Sequence, residues 1–266
     1  MQISSRVFVV TGGGNGIGRE VVLGLLGAGG RVAAVDVRAE SLAETATLAG
    51  AGDRLSTHVV DLTDRAAVTA LPAAVVERHG QVDGLLNVAG IIQQFVPFAD
   101  LEYAEIERVL SVNLWGVLHT TKAFLPLLQD RPAAAIVNVS SMGGLAPVPG
   151  QTIYGASKAA VKLFTEGLYA ELLGTSVAVT TVFPGGVGTG IADNSGAAIP
   201  GMDESSDLAA NLTTPQDAAA QIVRGLEKGA YRVVIGRDAR GLDLFSRIAP
   251  RRATETIAKK MAELLR

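Results

Sequence analysis

Cysteine is absent from this chain of 266 residues. Its absence excludes disulfide bonds, thiol nucleophiles, and zinc or iron–sulfur sites that depend on cysteine ligands. A chain without cysteine is compatible with a reducing compartment. The first residues enter a short apolar stretch at once, and they lack the pattern of a secretory signal. We therefore expect a cytoplasmic protein.

Aromatic residues, long apolar runs and an excess of one charge are also scarce. Aromatic residues make up 5% of the chain, charged residues make up 18%, and the formal net charge is -3. No stretch approaches the roughly 18 apolar residues of a membrane-spanning helix, and no basic excess favours nucleic acid. The histidines His58, His79 and His119 lack metal-ligand spacing. We expect no nucleic-acid partner, no integral membrane segment and no bound metal.

Short apolar runs alternate with helical stretches along most of the chain. Hydrophobic residues make up 48% of the sequence and glycine occurs 31 times, which favours a large core with tight turns. The alternation is typical of strand–helix–strand units around a buried parallel sheet. We predict one α/β domain over residues 1–266, with a doubly wound, seven-stranded parallel sheet and helices on both faces. The strand runs are 7–10, 31–35, 59–60, 85–88, 136–139, 177–182 and 233–235.

Two segments depart from this alternation. Residues 190–211 are rich in small and polar side chains, and they predict a substrate-binding lid within 190–214 or a mobile surface loop. Residues 237–266 form a helical extension, with helices expected over 239–248 and 251–265. The basic side chains of this extension could contact a membrane surface, but we expect them to form a solvated helix face.

A glycine-rich turn joins the first apolar run to a helix expected over residues 16–26. Gly12, Gly16 and Gly18 would let backbone N–H groups approach a pyrophosphate at the helix N-terminus. A tight turn between a strand and a helix would have a similar composition. The position of the turn in the first βα unit favours dinucleotide binding in a Rossmann fold.

The end of the second run predicts which dinucleotide is bound. Asp36 would accept hydrogen bonds from both adenosine ribose hydroxyls and would repel a 2′-phosphate. The glycine turn contains no lysine or arginine, and Asn15 occupies the position where such a cation would be expected. Arg38 follows Asp36 by two residues. The pattern therefore favours NAD and leaves NADP as the less favoured cofactor.

Tyr154 and Lys158 are four residues apart at the start of a helix expected over residues 154–172. This spacing places both side chains on one helix face. An adjacent ammonium group would lower the pKa of the Tyr154 phenol from its ordinary value of about 10 and make it a better general base. The pair therefore indicates acid–base chemistry, although the spacing alone also fits a surface pair.

Together these motifs resemble those of the short-chain dehydrogenase/reductase family, in the family's order and spacing over residues 7 to about 190. The matching residues are Thr11-Gly12-x3-Gly16-Ile17-Gly18, Asn87-Val88-Ala89-Gly90, Asn113, Ser140-Ser141, Tyr154-x3-Lys158 and Pro184-Gly185-x-Val187-x-Thr189. One departure is Val88, where the family often has a second asparagine that bonds within the sheet.

The resemblance implies four catalytic residues. Tyr154 would be the general acid/base, and Lys158 would lower its pKa and bind the nicotinamide ribose. Ser141 would donate a second hydrogen bond to the substrate oxygen, with Ser140 as the competing choice. Asn113 would hold a helix kink and a water of a proton relay, although a helix-packing amide is the alternative for that side chain.

The resemblance also implies a set of cofactor contacts. Asp61 and Leu62 would lie against the adenine, and Thr189 would reach the nicotinamide carboxamide. The full set is Gly12, Gly14, Asn15, Gly16, Ile17, Gly18, Asp36, Val37, Asp61, Leu62, Asn87, Ala89, Gly90, Tyr154, Lys158, Pro184, Gly185, Val187 and Thr189.

The expected substrate pocket is apolar. Its lining has two amides and no cation, which suits a neutral hydrophobic ketone or secondary alcohol. The expected substrate contacts are Gln93, Ser141, Gly143, Gln151 and Tyr154. Our first hypothesis is an NAD-dependent oxidoreductase that interconverts a secondary alcohol and a ketone. The alternatives are an NADPH-dependent reductase of a β-ketoacyl thioester and, more remotely, a non-enzymatic dinucleotide-sensing module.

The resemblance further implies a homodimer or homotetramer. The two-fold interface would use a helix over residues 103–127 and the helix over 154–172. Trp115, Leu118, Phe164 and Leu168 would contribute to it, or would belong to the core.

Overall fold

Seven parallel strands form one sheet in the computed structural model, which describes residues 1–197 and 212–264. The strands are β1 Val7–Thr11, β2 Arg31–Asp36, β3 Leu55–Val59, β4 Gly84–Asn87, β5 Ala134–Val139, β6 Val177–Pro184 and β7 Arg232–Ile235. Their spatial order is β3-β2-β1-β4-β5-β6-β7. The prediction of a doubly wound parallel sheet with a Rossmann topology is confirmed.

Helices connect the strands and extend the carboxyl end of the chain. They are α1 Gly16–Gly27, α2 Ala39–Ala49, α3 Arg65–His79, α4 Tyr103–Leu110, α5 Gly116–Gln129, α6 Thr152–Glu171, α7 Ile191–Ser195, α8 Pro215–Lys228, α9 Arg237–Ile248 and α10 Pro250–Leu264. A π-helical turn, Ser111–Trp115, joins α4 to α5.

Two hydrophobic cores lie on opposite faces of the sheet. On one face, alternate strand residues such as Phe8 and Val10 pack against α1, α2 and α8. On the other face, their neighbours Val7 and Val9 pack against α3, α5 and α6. Because successive side chains of a strand point to opposite faces, a strand buried on both sides is apolar throughout. This burial explains why the central strands appear as continuous apolar runs in the sequence.

The edge strand β3 differs from its sequence prediction. Only Val59 of the predicted run 59–60 belongs to the strand, which begins at Leu55. Side chains along β3 alternate between more and less exposed positions, because β2 is its only neighbour in the sheet. The apolar run in the sequence therefore coincides only with the carboxyl end of β3.

The two unusual segments are partly described. Residues 198–211 of the predicted lid lie outside the described residues, whereas α7 and residues 212–214 lie within them. The carboxyl extension contains the two predicted helices as α9 and α10, which begin slightly earlier than expected.

None of the helices among the described residues is both long enough and apolar enough to cross a lipid bilayer.

The carboxyl ends of β1 and β4 lie side by side, with Thr11 opposite Asn87. The strand order reverses here, because β2 lies on one side of β1 and β4 lies on the other. In open α/β sheets such a switch point leaves a crevice for a ligand. The turns after β1, β2 and β4 all open toward this crevice.

Candidate active site

The turn between β1 and α1 is shaped by glycine. Gly12 and Gly16 have φ angles of +69° and +51°, which side chains rarely adopt. A Cβ at Gly12 would lie 2.9 Å from the Ala89 Cα, and a Cβ at Gly18 would collide with the Gly12 carbonyl. The Asn15 side chain accepts a hydrogen bond from the Gly16 N–H at 2.6 Å. The turn therefore presents backbone at the start of α1, as phosphate binding requires.

Arg19 supports this turn, and our sequence analysis did not identify it. Its guanidinium donates to the Gly14 carbonyl at 2.6 Å and to Glu44 at 2.7 Å. Thr45 of α2 adds a hydrogen bond to the Gly13 carbonyl at 3.0 Å. These contacts tie the outer side of the turn to α2, which leaves its inner side free for a ligand.

The Asp36 carboxylate lies at the end of β2 and is held in place by backbone groups. One oxygen accepts from the Gly14 N–H at 3.0 Å, and the other accepts from the Arg38 N–H at 3.2 Å. Gly14 therefore orients Asp36, and it does not line the cleft itself. A carboxylate fixed beside the glycine turn suits the ribose of an adenosine.

A cavity of about 660 Å³ runs from this carboxylate to the carboxyl end of β4. Most of the predicted cofactor residues line it, which supports the fit of a dinucleotide. These residues are Gly12, Asn15, Gly16, Ile17, Gly18, Asp36, Val37, Asp61, Leu62, Ala89, Gly90 and Thr189.

Asn87 does not line this cavity, and its predicted cofactor contact stays a prediction. Its amide is buried, donates to Asn138 Oδ1 at 2.8 Å and accepts from the Thr120 hydroxyl at 2.8 Å. Asn138 therefore supplies a side-chain hydrogen bond to Asn87 within the sheet, although Val88 replaces the second asparagine of the family's motif. Asn87 acts by holding β4 against β5 and α5.

Pro184, Gly185 and Val187 also lie behind the cleft and do not line it. The Gly185 N–H donates to the Ile235 carbonyl at 2.8 Å, and Val187 pairs with Thr213 in an isolated parallel bridge. These residues anchor the segment that carries Thr189. Asp238 also secures this segment, because it accepts from the Gly186 N–H at 2.7 Å.

Tyr154 and Ser141 come together beside the cofactor cleft. Ser141 follows β5, and its hydroxyl accepts from the Gly143 N–H at 3.0 Å. A Cβ at Gly143 would lie 3.3 Å from the Tyr154 ring and 3.5 Å from Ser141 Oγ. The neighbouring Ser140 donates to the Lys158 carbonyl at 2.7 Å, so its hydroxyl serves the fold. This arrangement supports Ser141 over Ser140 as the substrate-binding serine.

Lys158 lies one helical turn after Tyr154 and is buried. Its Nζ donates to the Val139 carbonyl at 3.1 Å and lies 6.0 Å from the centre of the Tyr154 ring. A Cβ at Gly90 would approach Lys158 Nζ to 2.9 Å, so the glycine leaves room for this ammonium. The ammonium therefore lies near both the Tyr154 ring and the cleft wall formed by Gly90.

Burial dominates the pKa values of this pair. Desolvation raises the pKa of Tyr154 above its ordinary value, while a hydrogen bond with Ser141 acts in the opposite direction. Desolvation lowers the pKa of Lys158 to about 8. The prediction that Lys158 lowers the Tyr154 pKa stays a prediction, and burial of the phenol acts against it. At neutral pH the structure holds a protonated phenol beside a charged ammonium.

Asn113 occupies the π-helical turn between α4 and α5. Its amide is buried, accepts from the Ile91 N–H at 2.9 Å, and donates to the Ile91 carbonyl and to Ser157. π-Helical turns frequently occur at functional sites. The helix irregularity predicted at Asn113 is present, and the side chain fixes the loop after β4 to α6. The relay water stays a prediction.

Gln93 holds the start of α6, and its predicted contact with the substrate stays a prediction. Its buried Oε1 accepts from the N–H groups of Ile153 and Tyr154 at 2.7 and 3.0 Å. Because the first N–H groups of a helix lack helical partners, this amide caps α6 and positions Tyr154. Gln151 is also buried, with its Nε2 donating to the Gln93 carbonyl at 2.8 Å. Its buried Oε1 has no hydrogen-bond partner among the described residues, and its predicted contact with the substrate stays a prediction.

The predicted absence of a cation from the substrate lining stays a prediction, because the cavity that Arg108 lines is the cofactor cleft. Arg108 of α4 lines the cavity, although it is paired with Glu105 at 2.7 Å. Its guanidinium also donates to the Ser195 carbonyl at 3.1 Å. The charge of Arg108 is therefore neutralised where α7 meets the loop after β4.

No group of three or more potential metal ligands occurs among residues 1–197 and 212–264. His58 and His79 both bond to the Ser56 hydroxyl at 2.8 Å. Desolvation lowers the pKa of both imidazoles. These contacts give both histidines a structural role.

The geometry of this site agrees with the family to which the chain belongs. Residues 6–199 match the family model of the short chain dehydrogenases. The chain is therefore a member of the short-chain dehydrogenase family and an oxidoreductase.

Two relatives illustrate the similarity in sequence. The oxidoreductase SadH of Mycobacterium tuberculosis is 41% identical over 251 residues, which cover 91% of this chain and 90% of the relative. Levodione reductase of Leifsonia aquatica is 32% identical over 197 residues, which cover 73% of this chain and 74% of the relative.

Two solved structures illustrate the similarity in fold. A short-chain dehydrogenase/reductase of Burkholderia phymatum in complex with NAD has a TM-score of 0.80 at 30% identity, covering 88% of this chain and 90% of the other. A short-chain dehydrogenase of Burkholderia cenocepacia in complex with NADP has a TM-score of 0.81 at 26% identity, covering 97% and 99%. The similarity supports a nicotinamide dinucleotide as cofactor.

Proposed function

We propose that this chain is an NAD-dependent oxidoreductase that interconverts a secondary alcohol and a ketone. The observation that carries the proposal is the placement of Tyr154, Ser141 and Lys158 beside a cleft whose far end presents Asp36. A bound nicotinamide ring would accept a hydride from the alcohol carbon or return it to the carbonyl carbon. The residues of the chain would then bind the substrate oxygen and move its proton.

Tyr154 holds that proton in the proposed mechanism. During reduction its Oη donates the proton to the carbonyl oxygen, while the Ser141 hydroxyl donates a second hydrogen bond to the same oxygen. Lys158 stabilises the phenolate that remains, because its ammonium lies on the same side of the ring. The Tyr154 phenol is protonated at neutral pH, and burial raises its pKa further. In the proposed mechanism reduction is therefore favoured at neutral pH and oxidation at higher pH.

The proposed substrate is a neutral, apolar ketone or alcohol. The loop after β4 contributes the apolar side chains of Ile91 and Ile92. The cation beside this loop, Arg108, is paired with Glu105. A relative named levodione reductase, a reductase of a dione, supports a ketone as the reacting group. Steady-state rates with NAD and NADP across a panel of cyclic, aliphatic and steroidal alcohols and ketones test this proposal. A chain that turns over none of them with either cofactor contradicts it.

The Asp36 carboxylate provides a sharper test of cofactor choice. Asp36→Asn keeps an acceptor for the Gly14 N–H and removes the charge that would repel a 2′-phosphate. We expect the ratio of kcat/KM for NAD to that for NADP to fall by about 10-fold, which corresponds to about 1.4 kcal/mol. Equal use of both cofactors by the wild type, or an unchanged ratio in the variant, contradicts the assignment of NAD.

We further propose a two-fold interface through the outer faces of α5 and α6. Trp115 and Leu163 are 53% and 69% exposed, which is unusual for large apolar side chains. Of the side chains expected there, Phe164 and Leu168 pack in the core, and Leu118 is half-buried. Trp115 and the previously overlooked Leu163 are therefore the proposed contacts.

Leu163→Arg is expected to shift the protein from the dimer to the monomer, because an apolar interface would have to bury an unpaired charge. Light scattering at micromolar concentration measures the mass. Leu48→Arg is the matched control, since Leu48 is 63% exposed on α2, which packs on the opposite face of the sheet. A monomeric wild type, or equal effects of both substitutions, contradicts the interface.

A further inference from the structure

The short helix α7 is fastened at its carboxyl end to the loop after β4. The Ser195 hydroxyl accepts from the Ile92 N–H at 3.0 Å and donates to the Ile191 carbonyl at 2.6 Å. Arg108 donates to the Ser195 carbonyl, and Gln94 donates to the Gly196 carbonyl at 3.3 Å. This end of α7 is therefore held beside the reacting end of the cleft.

A further contact of the same helix reaches the opposite end of the cleft. Asn194 Oδ1 accepts from Arg38 Nη1 at 2.7 Å. These residues are 156 positions apart, and both line the cavity together with Asp36. The bond joins the loop after β2 to α7, so it links the adenosine side of the cleft to the segment that follows Thr189.

Arg38 is the cation that stands beside the proposed ribose site. Its backbone N–H donates to Asp36, which places the base of its side chain next to the carboxylate that selects the ribose. An arginine in such a position is able to pair with a 2′-phosphate. In this structure, however, one nitrogen of the guanidinium bonds to a neutral amide on α7.

We propose that Asn194 is a specificity-determining residue that holds Arg38 against α7 and so withholds its guanidinium from the 2′-phosphate of NADP. This inference rests on the proposed use of NAD and extends it: Asp36 repels the phosphate, and Asn194 removes the nearby cation that would compensate. Asn194 is a positioning residue, because it acts through Arg38. A substitution at Asn194 in α7 would thus change the cofactor preference that is set at the adenosine end of the cleft.

The test measures dissociation constants for NADH and NADPH by nicotinamide fluorescence, without substrate. Asn194→Ala releases Arg38, and we expect the ratio of the NADPH to the NADH dissociation constant to fall about 5-fold, in the range of an exposed charged contact. Asn194→Asp should raise the ratio, because a carboxylate pairs more strongly with Arg38 and repels phosphate.

Arg38→Met provides the control background. In this background Asn194→Ala should leave the ratio unchanged, because no guanidinium is released. If Asn194 only secured α7, its removal would weaken both dinucleotides equally and keep the wild-type ratio, which overturns the inference. An effect that persists without Arg38 overturns it as well. A wild type that binds neither NADH nor NADPH contradicts the proposed function itself, and the two failures are therefore distinguishable.

Discussion

Tyr154→Phe is expected to lower kcat by at least about 100-fold, in the range attributed to loss of a general acid–base group. The substitution keeps the ring between Gly143 and Lys158 and removes only the hydroxyl that faces Ser141. Ketone reduction then lacks its proton donor, and alcohol oxidation lacks its acceptor. NADH affinity should stay close to that of the wild type, because the cleft walls and Lys158 are unchanged.

Tyr103→Phe is the matched control for this experiment. Tyr103 is 82% exposed at the start of α4, so loss of its hydroxyl should leave turnover intact. Rates in both directions and NADH titrations on the same preparations separate chemistry from binding. Near-wild-type turnover in Tyr154→Phe would refute the mechanism. A wild type that binds NADH and turns over no substrate would instead favour the dinucleotide-sensing alternative.

Elements with strong local end signals could be predicted closely from the sequence. Helix α3 begins after Asp64, whose carboxylate accepts from two N–H groups of the first turn, and it ends at Gly80, which has a φ of +83°. The helix runs over residues 65–79 between these two signals. Such caps act within a few residues and are therefore visible in the sequence.

Side-chain direction could not be predicted in the same way. Gln93 looked like a pocket residue because it follows β4, yet its amide caps α6, about 60 residues further along. Arg19 supports the glycine turn through a carbonyl oxygen, which leaves no distinctive spacing. The pKa of Tyr154 depends on burial and on a hydrogen bond with Ser141, and neither is contained in the four-residue spacing.

Lys158→Met is expected to lower turnover strongly and to stabilise the fold at neutral pH. The buried, charged ammonium of Lys158 lowers the free energy of unfolding, since burial lowers its pKa from 10.5 to about 8. That difference corresponds to roughly 3 kcal/mol. The variant also loses the hydrogen bond to the Val139 carbonyl, worth about 1 kcal/mol. A net gain on the order of 2 kcal/mol in the free energy of unfolding follows at pH 7.

The pH dependence of stability identifies the lysine as the cause. Below pH 8 both folded and unfolded chains carry the proton, and the cost of burying the charge is fully present. Between about pH 8 and 10.5 the unfolded chain binds more protons than the folded one, so wild-type stability should gain with rising pH from this group. Lys158→Met removes that gain, which reduces its slope over this interval.

Denaturant unfolding at pH 7, 8, 9 and 10, with turnover measured at each pH, tests both parts of this prediction. Lys162→Met is the control, because Lys162 lies one turn further along α6 and forms a surface pair with Glu166. It should change stability by less than about 1 kcal/mol at every pH. A Lys158→Met variant that is less stable than the wild type at pH 7, or that keeps the wild-type slope above pH 8, shows that the buried ammonium is not the costly group. The expected combination, lost turnover with a stabilised fold, would mean that this ammonium is kept for catalysis at the expense of stability.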